Sequence, residues 1–237
     1  MSWRIYVVGL PRRSDRRSRV GRYLDLASVP YEVCYASDLG LMVDWHDLDP
    51  ESIVSSAYQN WRIDGPNPWW NRPLKLGEIA CSLSHLNVWA SAARSGHGAI
   101  ILEDDATMRT SFGREVANVV GAVDLLDPGW GLLYLGRARL AEDTPTRLPE
   151  LVRPGHSYCT YGYCLSATGL RSVAEAGLSS NIIPVDEFLL SMYMVHPRAD
   201  IATLFPSRLR AYALATDIVE QGPATEDTDT EQSPFLR

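Results

Sequence analysis

The stretch Gly98-Ala-Ile-Ile-Leu-Glu-Asp-Asp105 places a short apolar run directly before three adjacent carboxylates. The apolar residues, 99 to 102, predict a buried strand of the kind found in parallel sheets that are covered on both faces. Such open sheets bind ligands outside the carboxyl ends of their strands. Because Mg²⁺ and Mn²⁺ prefer oxygen ligands and often combine carboxylates with phosphate oxygens, the stretch predicts a metal and diphosphate site.

The residues before this stretch follow the strand and helix order of a parallel sheet. Residues 4 to 10 predict a first strand, Ser14 is the expected N-cap of the next helix, and residues 31 to 36 predict a second strand. A helix over residues 77 to 94 leads into the acidic stretch. We therefore predict the α/β class, with a mostly parallel central sheet and helices on both faces.

The rest of the chain is read from its periodicity and its turn residues. Helices are predicted over residues 112 to 126 and 184 to 195, with a short one from Thr168. Strands are predicted over residues 131 to 135, 158 to 166 and 201 to 205, and residues 44 to 72 predict a long surface loop with a helical piece. We predict one domain over residues 1 to 219 and an acidic, disordered tail over residues 220 to 237.

Composition excludes several classes of function. The net charge of −7 disfavours nucleic acid as a partner, and 46% hydrophobic residues are typical of a globular chain. The four cysteines contain no Cys-x-x-Cys pair, which predicts reduced thiols. No apolar run approaches the ~18 residues of a membrane span, and the first residues lack a signal peptide pattern, so we predict a cytoplasmic protein.

Three groups of polar or aromatic residues each allow two interpretations. The arginines of the first strand-to-helix connection form either a solvated helix face or, for the three nearest the turn, a diphosphate contact. On the helix before the acidic stretch, His85 shares a face with Glu78, and is either buried and satisfied by a neighbour or functional. Trp69 and Trp70 either stack on a sugar or hold their loop against the domain.

Asp186 and Glu187 follow the proline that begins a predicted helix. Acids in a first helical turn complement the helix dipole. Alternatively, one of the two is a base that accepts a proton from an acceptor hydroxyl. The spacing leaves both interpretations open.

Taken in order, several blocks resemble glycosyltransferase family 25, the lipooligosaccharide and collagen galactosyltransferase group. Residues 10 to 17, Leu-Pro-Arg-Arg-Ser-Asp-Arg-Arg, are similar to its Asn-Leu-x-x-Arg-x-Asp-Arg block, and residues 76 to 85 to its Gly-Glu-x-Gly-Cys-x-x-Ser-His block. Residues 101 to 105 match its Glu-Asp-Asp motif, and residues 162 to 166 and 184 to 187 resemble later blocks. Gly9 and Ala80 depart from the family, which usually has asparagine and glycine there.

The resemblance implies a GT-A fold that uses Mn²⁺ or Mg²⁺ and a UDP-sugar donor. The implied reaction moves galactose or glucose to an acceptor hydroxyl with inversion at the anomeric carbon. The acceptor would be a glycan, a protein or a small molecule. Asp105 and Glu103 are the expected metal ligands, and Asp217 is a third candidate from a segment that resembles the family only loosely.

The remaining roles follow from the same resemblance and from charge. Asp186 is the expected catalytic base, with His85 as the alternative and Glu187 beside it. The residues expected to bind the donor are Leu10, Arg12, Arg13, Asp15, Arg16, Glu78, Ser84, Glu103 and Asp104. The residues expected to bind the acceptor are Trp69, Trp70 and Tyr161.

Two other classes of function compete with this interpretation. The first is a catalytically inactive protein that binds a nucleotide sugar or a glycan on the same fold. The second is a metal-dependent phosphotransferase or nuclease with clustered acids, although the sequence lacks the Gly-x-x-x-x-Gly-Lys-Ser/Thr loop of common nucleotide phosphatases. Slow hydrolysis of a UDP-sugar would separate a transferase from a binding protein.

Overall fold

The computed structural model describes residues 3 to 37, 54 to 222 and 229 to 236. Its first half contains β1 (Trp3–Gly9), α1 (Ser14–Leu26), β2 (Tyr31–Tyr35), α2 (Leu76–Arg94), β3 (Gly98–Glu103), β4 (Ala106–Met108) and α3 (Phe112–Leu126). Its second half contains β5 (Leu132–Arg139), β6 (Thr144–Pro145), β7 (Leu151–Arg153), β8 (Ser157–Leu165), α4 (Ala167–Ala174), a 3₁₀ turn (Leu178–Ser180), α5 (Val185–Tyr193), α6 (Ala199–Leu204), β9 (Ala211–Leu214), β10 (Val219–Gln221) and α7 (Asp229–Gln232).

One large sheet runs through the described residues in the strand order β2, β1, β3, β8, β5, β9, β7, β6. The strand β1 pairs in parallel with β2 and β3, and β5 pairs in parallel with β9. The strands β8 and β7 run against their neighbours. Because the other six strands share one direction, the predicted α/β class with a mostly parallel central sheet is confirmed.

Each face of the sheet is covered by its own apolar cluster. Along β3, Ala99 and Ile101 pack with α2, α4 and α5, whereas Ile100 and Leu102 pack with α1 and α3. This alternation is the two-residue period of a strand. All four residues are almost completely buried, which explains why β3 reads as a continuous apolar run.

A second, two-stranded sheet covers the carboxyl end of β3. Its strands β4 and β10 are antiparallel, and β4 begins directly after Asp105. Of these two strands, β10 crosses the main sheet at Gly162 of β8, where an added Cβ atom would lie 2.7 Å from the Val219 side chain. Gly162 therefore lets β10 pass closely over β8.

Two local predictions differ from the structure, and part of a third lies outside the described residues. Residues 201 to 205, predicted as a strand, belong largely to α6, because Ile201 and Phe205 are buried at the four-residue spacing of a helix. Arg13, not Ser14, precedes α1, and Ser14 is its first residue. The first part of the predicted long loop, residues 44 to 53, lies outside the described residues.

The predicted disordered tail also differs from the structure where residues are described. Residues 220 and 221 belong to β10, which pairs with β4. Farther along, the Leu76 N–H donates to the Pro234 carbonyl at 2.8 Å, and the Leu236 N–H donates to the Leu74 carbonyl at 2.7 Å. These bonds attach the segment to the start of α2. The single domain over residues 1 to 219 stays a prediction.

No helix within the described ranges is long and apolar enough to cross a membrane.

Candidate functional site

The three adjacent carboxylates diverge because side chains alternate across the sheet. Glu103 continues the face of Ile101 and meets His85 of α2. Asp104 continues the face of Leu102 and meets Arg16 of α1. The end of β3 therefore gathers groups from both helical layers.

Glu103 is held in a chain of hydrogen bonds that begins in the core. The Trp89 Nε1–H donates to the Tyr163 hydroxyl at 2.9 Å, and that hydroxyl lies 2.7 Å from His85 Nδ1. On the other side of the ring, His85 Nε2 lies 3.2 Å from Glu103 Oε1, which also accepts a hydrogen bond from Thr160. Burial raises the pKa of Glu103, but these two donors and the Arg16 charge outweigh it and hold the pKa below its usual value.

Asp104 joins β3 to the amino end of α1. Its Oδ2 accepts a hydrogen bond from the Leu10 N–H at 3.1 Å, and its Oδ1 lies 3.8 Å from Arg16 Nη1. Burial raises the pKa of Asp104 to about 7 although the Arg16 charge opposes the shift. A Cβ atom on Gly9 would lie 2.7 Å from Asp104 Oδ2, so the glycine at this family-divergent position makes room for the carboxylate.

Asp105 is the least satisfied of the three carboxylates. Its Oδ2 accepts a hydrogen bond from Gln221 Nε2 at 2.9 Å, whereas its buried Oδ1 has no hydrogen-bond partner in the described part of the chain. Burial and the neighbouring Glu103 charge raise the pKa of Asp105 to about 6. Because a buried carboxylate oxygen needs a partner, this atom fits an oxygen-seeking divalent cation such as Mn²⁺ or Mg²⁺.

The predicted third metal ligand lies elsewhere. Asp217 Oδ1 is 3.2 Å from Arg139 Nη2 on β5, so its charge is already paired. Among the described residues, the one group of three ligand atoms close enough to share an ion comes from Cys81, His85 and Glu103. The structure therefore does not bring Asp217 together with Glu103 and Asp105 as a ligand set.

The arginines near the first turn divide by burial. Arg16 is almost fully buried, and its charge acts on all three carboxylates of residues 103 to 105. Arg13 donates to both carboxylate oxygens of Asp15 at 3.1 and 2.9 Å, which holds the pKa of Asp15 well below its usual range. Arg12 lies in the turn that precedes α1, at the helix end where backbone N–H groups favour an anion.

Two predicted donor residues, Glu78 and Ser84, form hydrogen bonds that hold α2 in place. Glu78 forms a two-pronged ion pair with Arg72 at 2.6 and 3.0 Å and accepts the Lys75 N–H at 2.7 Å. A glutamate at this third helical position is a known N-terminal cap. Ser84 is buried, accepts the Ser37 N–H at 2.9 Å and so ties α2 to the end of β2.

Asp186 and Glu187 begin α5 in contrasting environments. Asp186 is half-buried, and its Oδ1 accepts a hydrogen bond from the Glu187 N–H at 2.9 Å. Burial and the Glu187 charge raise the pKa of Asp186 to about 7. A carboxylate with such a pKa is suited to accept and release a proton near neutral pH.

Glu187 is buried and fully engaged. Its Oε1 accepts hydrogen bonds from Trp70 Nε1 at 2.6 Å and from the Tyr158 hydroxyl at 2.8 Å, and its Oε2 lies 2.7 Å from His196 Nε2. Since the Arg198 N–H donates to His196 Nδ1, the Nε2–H donates to Glu187. Burial raises the pKa of Glu187, but these donors outweigh it and keep the carboxyl ionised. Both carboxylate oxygens of Glu187 are thus hydrogen-bonded to protein side chains, and its catalytic role stays a prediction.

The three predicted acceptor residues differ in their exposure and in their contacts. Trp69 is 44% exposed beneath the Arg72 guanidinium, whereas Trp70 is held by Glu187. Tyr161 is buried in the core beside β10, and its contact with an acceptor stays a prediction. Arg198 donates to the carbonyls of residues 60 and 61 and so fixes the tryptophan-rich loop.

Sequence reasoning missed several partners of the site. Thr160 and Gln221 contact Glu103 and Asp105 from 57 and 116 residues away in the chain, and no local pattern marks them. His196 contacts Glu187 from nine residues away, beyond the end of α5. Cys81 was discoverable, because it lies four residues before His85 and shares its helix face.

Residues 3–128 match the sequence profile of "Glycosyltransferase family 25 (LPS biosynthesis protein)". Among curated relatives, Procollagen galactosyltransferase 1 of Danio rerio is 32% identical over 97% of this chain, and Procollagen galactosyltransferase 2 of Mus musculus is 31% identical over 88%. A human relative named Inactive glycosyltransferase 25 family member 3 is 32% identical over 97%. The chain spans 38%, 33% and 39% of the length of these relatives, in that order.

Proposed function

The chain belongs to glycosyltransferase family 25, and from this premise we propose that it transfers galactose or glucose from a UDP-sugar to an acceptor hydroxyl, with inversion at the anomeric carbon. The observation that carries the proposal is the buried Asp105 Oδ1, which lacks a hydrogen-bond partner in the described residues and lies near the Glu103 charge. A divalent cation, Mn²⁺ or Mg²⁺, supplies Lewis-acid stabilisation of the departing diphosphate when bound there.

On the donor side, Asp105 and Glu103 would hold the cation. Both hydrogen bonds to the Glu103 carboxylate in the described residues reach Oε1, which leaves Oε2 available. Arg16 is fixed by Asp104 and keeps its positive charge close to the end of β3. Arg12 lies in the turn before α1, where a second cationic group supports binding of a diphosphate. This is the donor arrangement expected of a GT-A type enzyme.

On the acceptor side, Asp186 is the proposed general base. Its Oδ1 accepts the Glu187 N–H, and its Oδ2 remains to take the proton of the acceptor hydroxyl. A pKa of about 7 keeps a useful fraction of this carboxyl ionised near neutral pH while it stays basic enough to accept a proton. Glu187 and Trp70 hold the neighbouring wall of the site.

His85 is less suited than Asp186 to act as the base. Its Nε2 faces Glu103 and its Nδ1 faces the Tyr163 hydroxyl, so both ring nitrogens are engaged. The ring is also completely buried. These contacts favour a role in orienting Glu103.

The proposal is tested with the full chain and a panel of UDP-sugars and GDP-sugars, measured with and without Mn²⁺. We expect release of UDP from UDP-galactose or UDP-glucose only when the ion is present. Asp105→Ala should abolish this release, whereas Glu220→Gln, a matched change at an exposed acid on β10, should not. Release that is independent of Mn²⁺ or unaffected by Asp105→Ala would overturn the proposal.

A binding protein without turnover is the second candidate, because one relative carries the name of an inactive family member. Such a protein would bind UDP in an Asp105-dependent manner and release none from a UDP-sugar. A transferase hydrolyses its donor slowly even without an acceptor. Donor hydrolysis above the Asp105→Ala background therefore excludes the second candidate.

A further inference from the structure

Cys81, His85 and Glu103 converge at the junction of α2 and β3. Cys81 and His85 are one helical turn apart and share a helix face. Glu103 ends β3, and its Oε1 lies 3.2 Å from His85 Nε2. The ligand atoms of the three residues all lie within 4.8 Å of one another.

We propose that these three side chains form a binding site for a thiophilic divalent cation such as Zn²⁺. A thiolate, an imidazole nitrogen and a carboxylate oxygen are the ligand types that Zn²⁺ takes in proteins, whereas Mn²⁺ and Mg²⁺ prefer oxygen alone. With Zn–S and Zn–N bonds of about 2.3 and 2.0 Å, tetrahedral ligands lie roughly 3.5 Å apart, so closure requires movements of about 1 Å. Water would complete the fourth position.

The neighbours of two of the three ligands, His85 and Glu103, already orient them. Tyr163 lies on the Nδ1 side of His85 and so turns Nε2 toward Glu103, while Thr160 fixes the carboxylate. Such outer partners of a metal-bound histidine fix its tautomer and its ring orientation. When an ion binds, the Cys81 thiol proton is released to solvent, and the imidazole keeps one hydrogen on Nδ1, which the Tyr163 hydroxyl accepts.

This site differs in chemistry from the oxygen-rich position at Asp105, although Glu103 is a proposed ligand in both. The proposal stands independently of sugar transfer, since its test measures metal binding alone. Failure of the donor assays would therefore leave it intact, and failure of the metal assays would leave the proposed transfer intact.

The test uses Co²⁺ as a spectroscopic probe on the reduced full chain, followed by displacement with Zn²⁺. We expect one equivalent of Co²⁺ to give a sulfur-to-cobalt charge-transfer absorption that Zn²⁺ abolishes. Cys81→Ser should remove the absorption and weaken Zn²⁺ binding at least about 10-fold. The matched control Cys34→Ser, on the edge strand β2, should leave both unchanged. Absence of the band in the unaltered chain, or its persistence in Cys81→Ser, would overturn the proposal.

A second measurement keeps the proposal testable if Cys81→Ser fails to fold. In the unaltered chain, Zn²⁺ should slow alkylation of Cys81 relative to Cys34, as followed by mass spectrometry of the modified peptides. Equal slowing of both thiols, or no slowing of Cys81, would contradict a site that contains the Cys81 sulfur.

Discussion

The end of β3 and the first turn of α5 contain the same types of residue, a glutamate, a histidine and an aspartate, and differ in the charges nearby. Each pairs a glutamate with a buried histidine, Glu103 with His85 and Glu187 with His196. Beside each glutamate lies an aspartate whose pKa burial raises, to about 6 for Asp105 and about 7 for Asp186. In both regions, the hydrogen-bonded glutamate stays ionised and the less satisfied aspartate is left for chemistry.

The difference lies in the charges nearby. Arg16 is buried beside residues 103 to 105, so this region suits a cation together with an anionic diphosphate. At α5 the groups around Glu187 are the Trp70 indole, the Tyr158 hydroxyl and His196, which suit a neutral hydroxyl substrate. We therefore propose that the donor binds at the end of β3 and the acceptor at the first turn of α5.

Removing the proposed base should have the largest effect. Asp186→Asn keeps the size of the side chain and the hydrogen bond from the Glu187 N–H but cannot accept a proton, so kcat should fall about 10³-fold. In the unaltered chain, kcat/KM should fall about tenfold per pH unit below pH 7, where Asp186 becomes protonated. Steady-state kinetics across pH measure both effects. A normal kcat for Asp186→Asn would contradict the proposal that Asp186 of α5 is the general base.

Altering the least satisfied carboxylate at β3 should have the next largest effect. Asp105→Asn keeps an acceptor for Gln221 but removes the charge that holds the cation, so donor turnover should fall about 10²-fold. Added Mn²⁺ should restore part of the loss, because the defect is in ion binding. Turnover measured against Mn²⁺ concentration tests this, and a loss that no Mn²⁺ concentration relieves would contradict it.

Glu187 should behave differently from its neighbour Asp186. Glu187→Gln places an amide N–H against the His196 Nε2–H, which should cost about 2 kcal/mol of unfolding free energy. Donor hydrolysis without an acceptor should stay within about 3-fold, because both carboxylate oxygens of Glu187 are hydrogen-bonded to protein side chains. Urea unfolding and UDP release measure the two quantities. The exposed control Glu175→Gln should change the unfolding free energy by less than about 0.5 kcal/mol. If a folded Glu187→Gln chain lost donor hydrolysis, this result would instead indicate that Glu187 is a catalytic residue.

The smallest expected effect is on the pH dependence of stability. The pKa of Asp105 is about 6 in the folded chain against 3.8 as the ordinary value, so its ionisation opposes folding as pH rises from about 4 to 6. Asp105→Asn removes this cost. The unfolding free energy of the variant minus that of the unaltered chain should therefore be about 1 kcal/mol larger at pH 8 than at pH 4.5. Urea unfolding at the two pH values measures the gain, and a loss at pH 8 would show that Asp105 is satisfied when ionised.

The sequence predicts well the features that depend on local pattern. The apolar run of β3 and the helical spacing of α2 place Glu103 and His85 near each other before any contact is seen. Position within an element does not reveal a side chain's partners. Glu187 is held by Trp70, which is 117 residues away in the chain, and by Tyr158, which is 29 residues away.

The remaining differences have similar physical causes. The run of residues 201 to 205 is too short for periodicity to separate a strand from a helix. Tyr161 faces the core because Val219 crosses Gly162 beside it, which is a long-range contact. The carboxylate of Glu78 lies in the first turn of α2, where it caps the helix by accepting a hydrogen bond from the Lys75 N–H.

The most direct test of the donor assignment is a crystal structure of the full chain with Mn²⁺ and UDP, using the anomalous signal of manganese to locate the ion. We predict manganese bound to Asp105 Oδ1, with the diphosphate between the ion and the amino end of α1. An ion bound only elsewhere, or a diphosphate that lies away from Asp105 and Arg16, would contradict it.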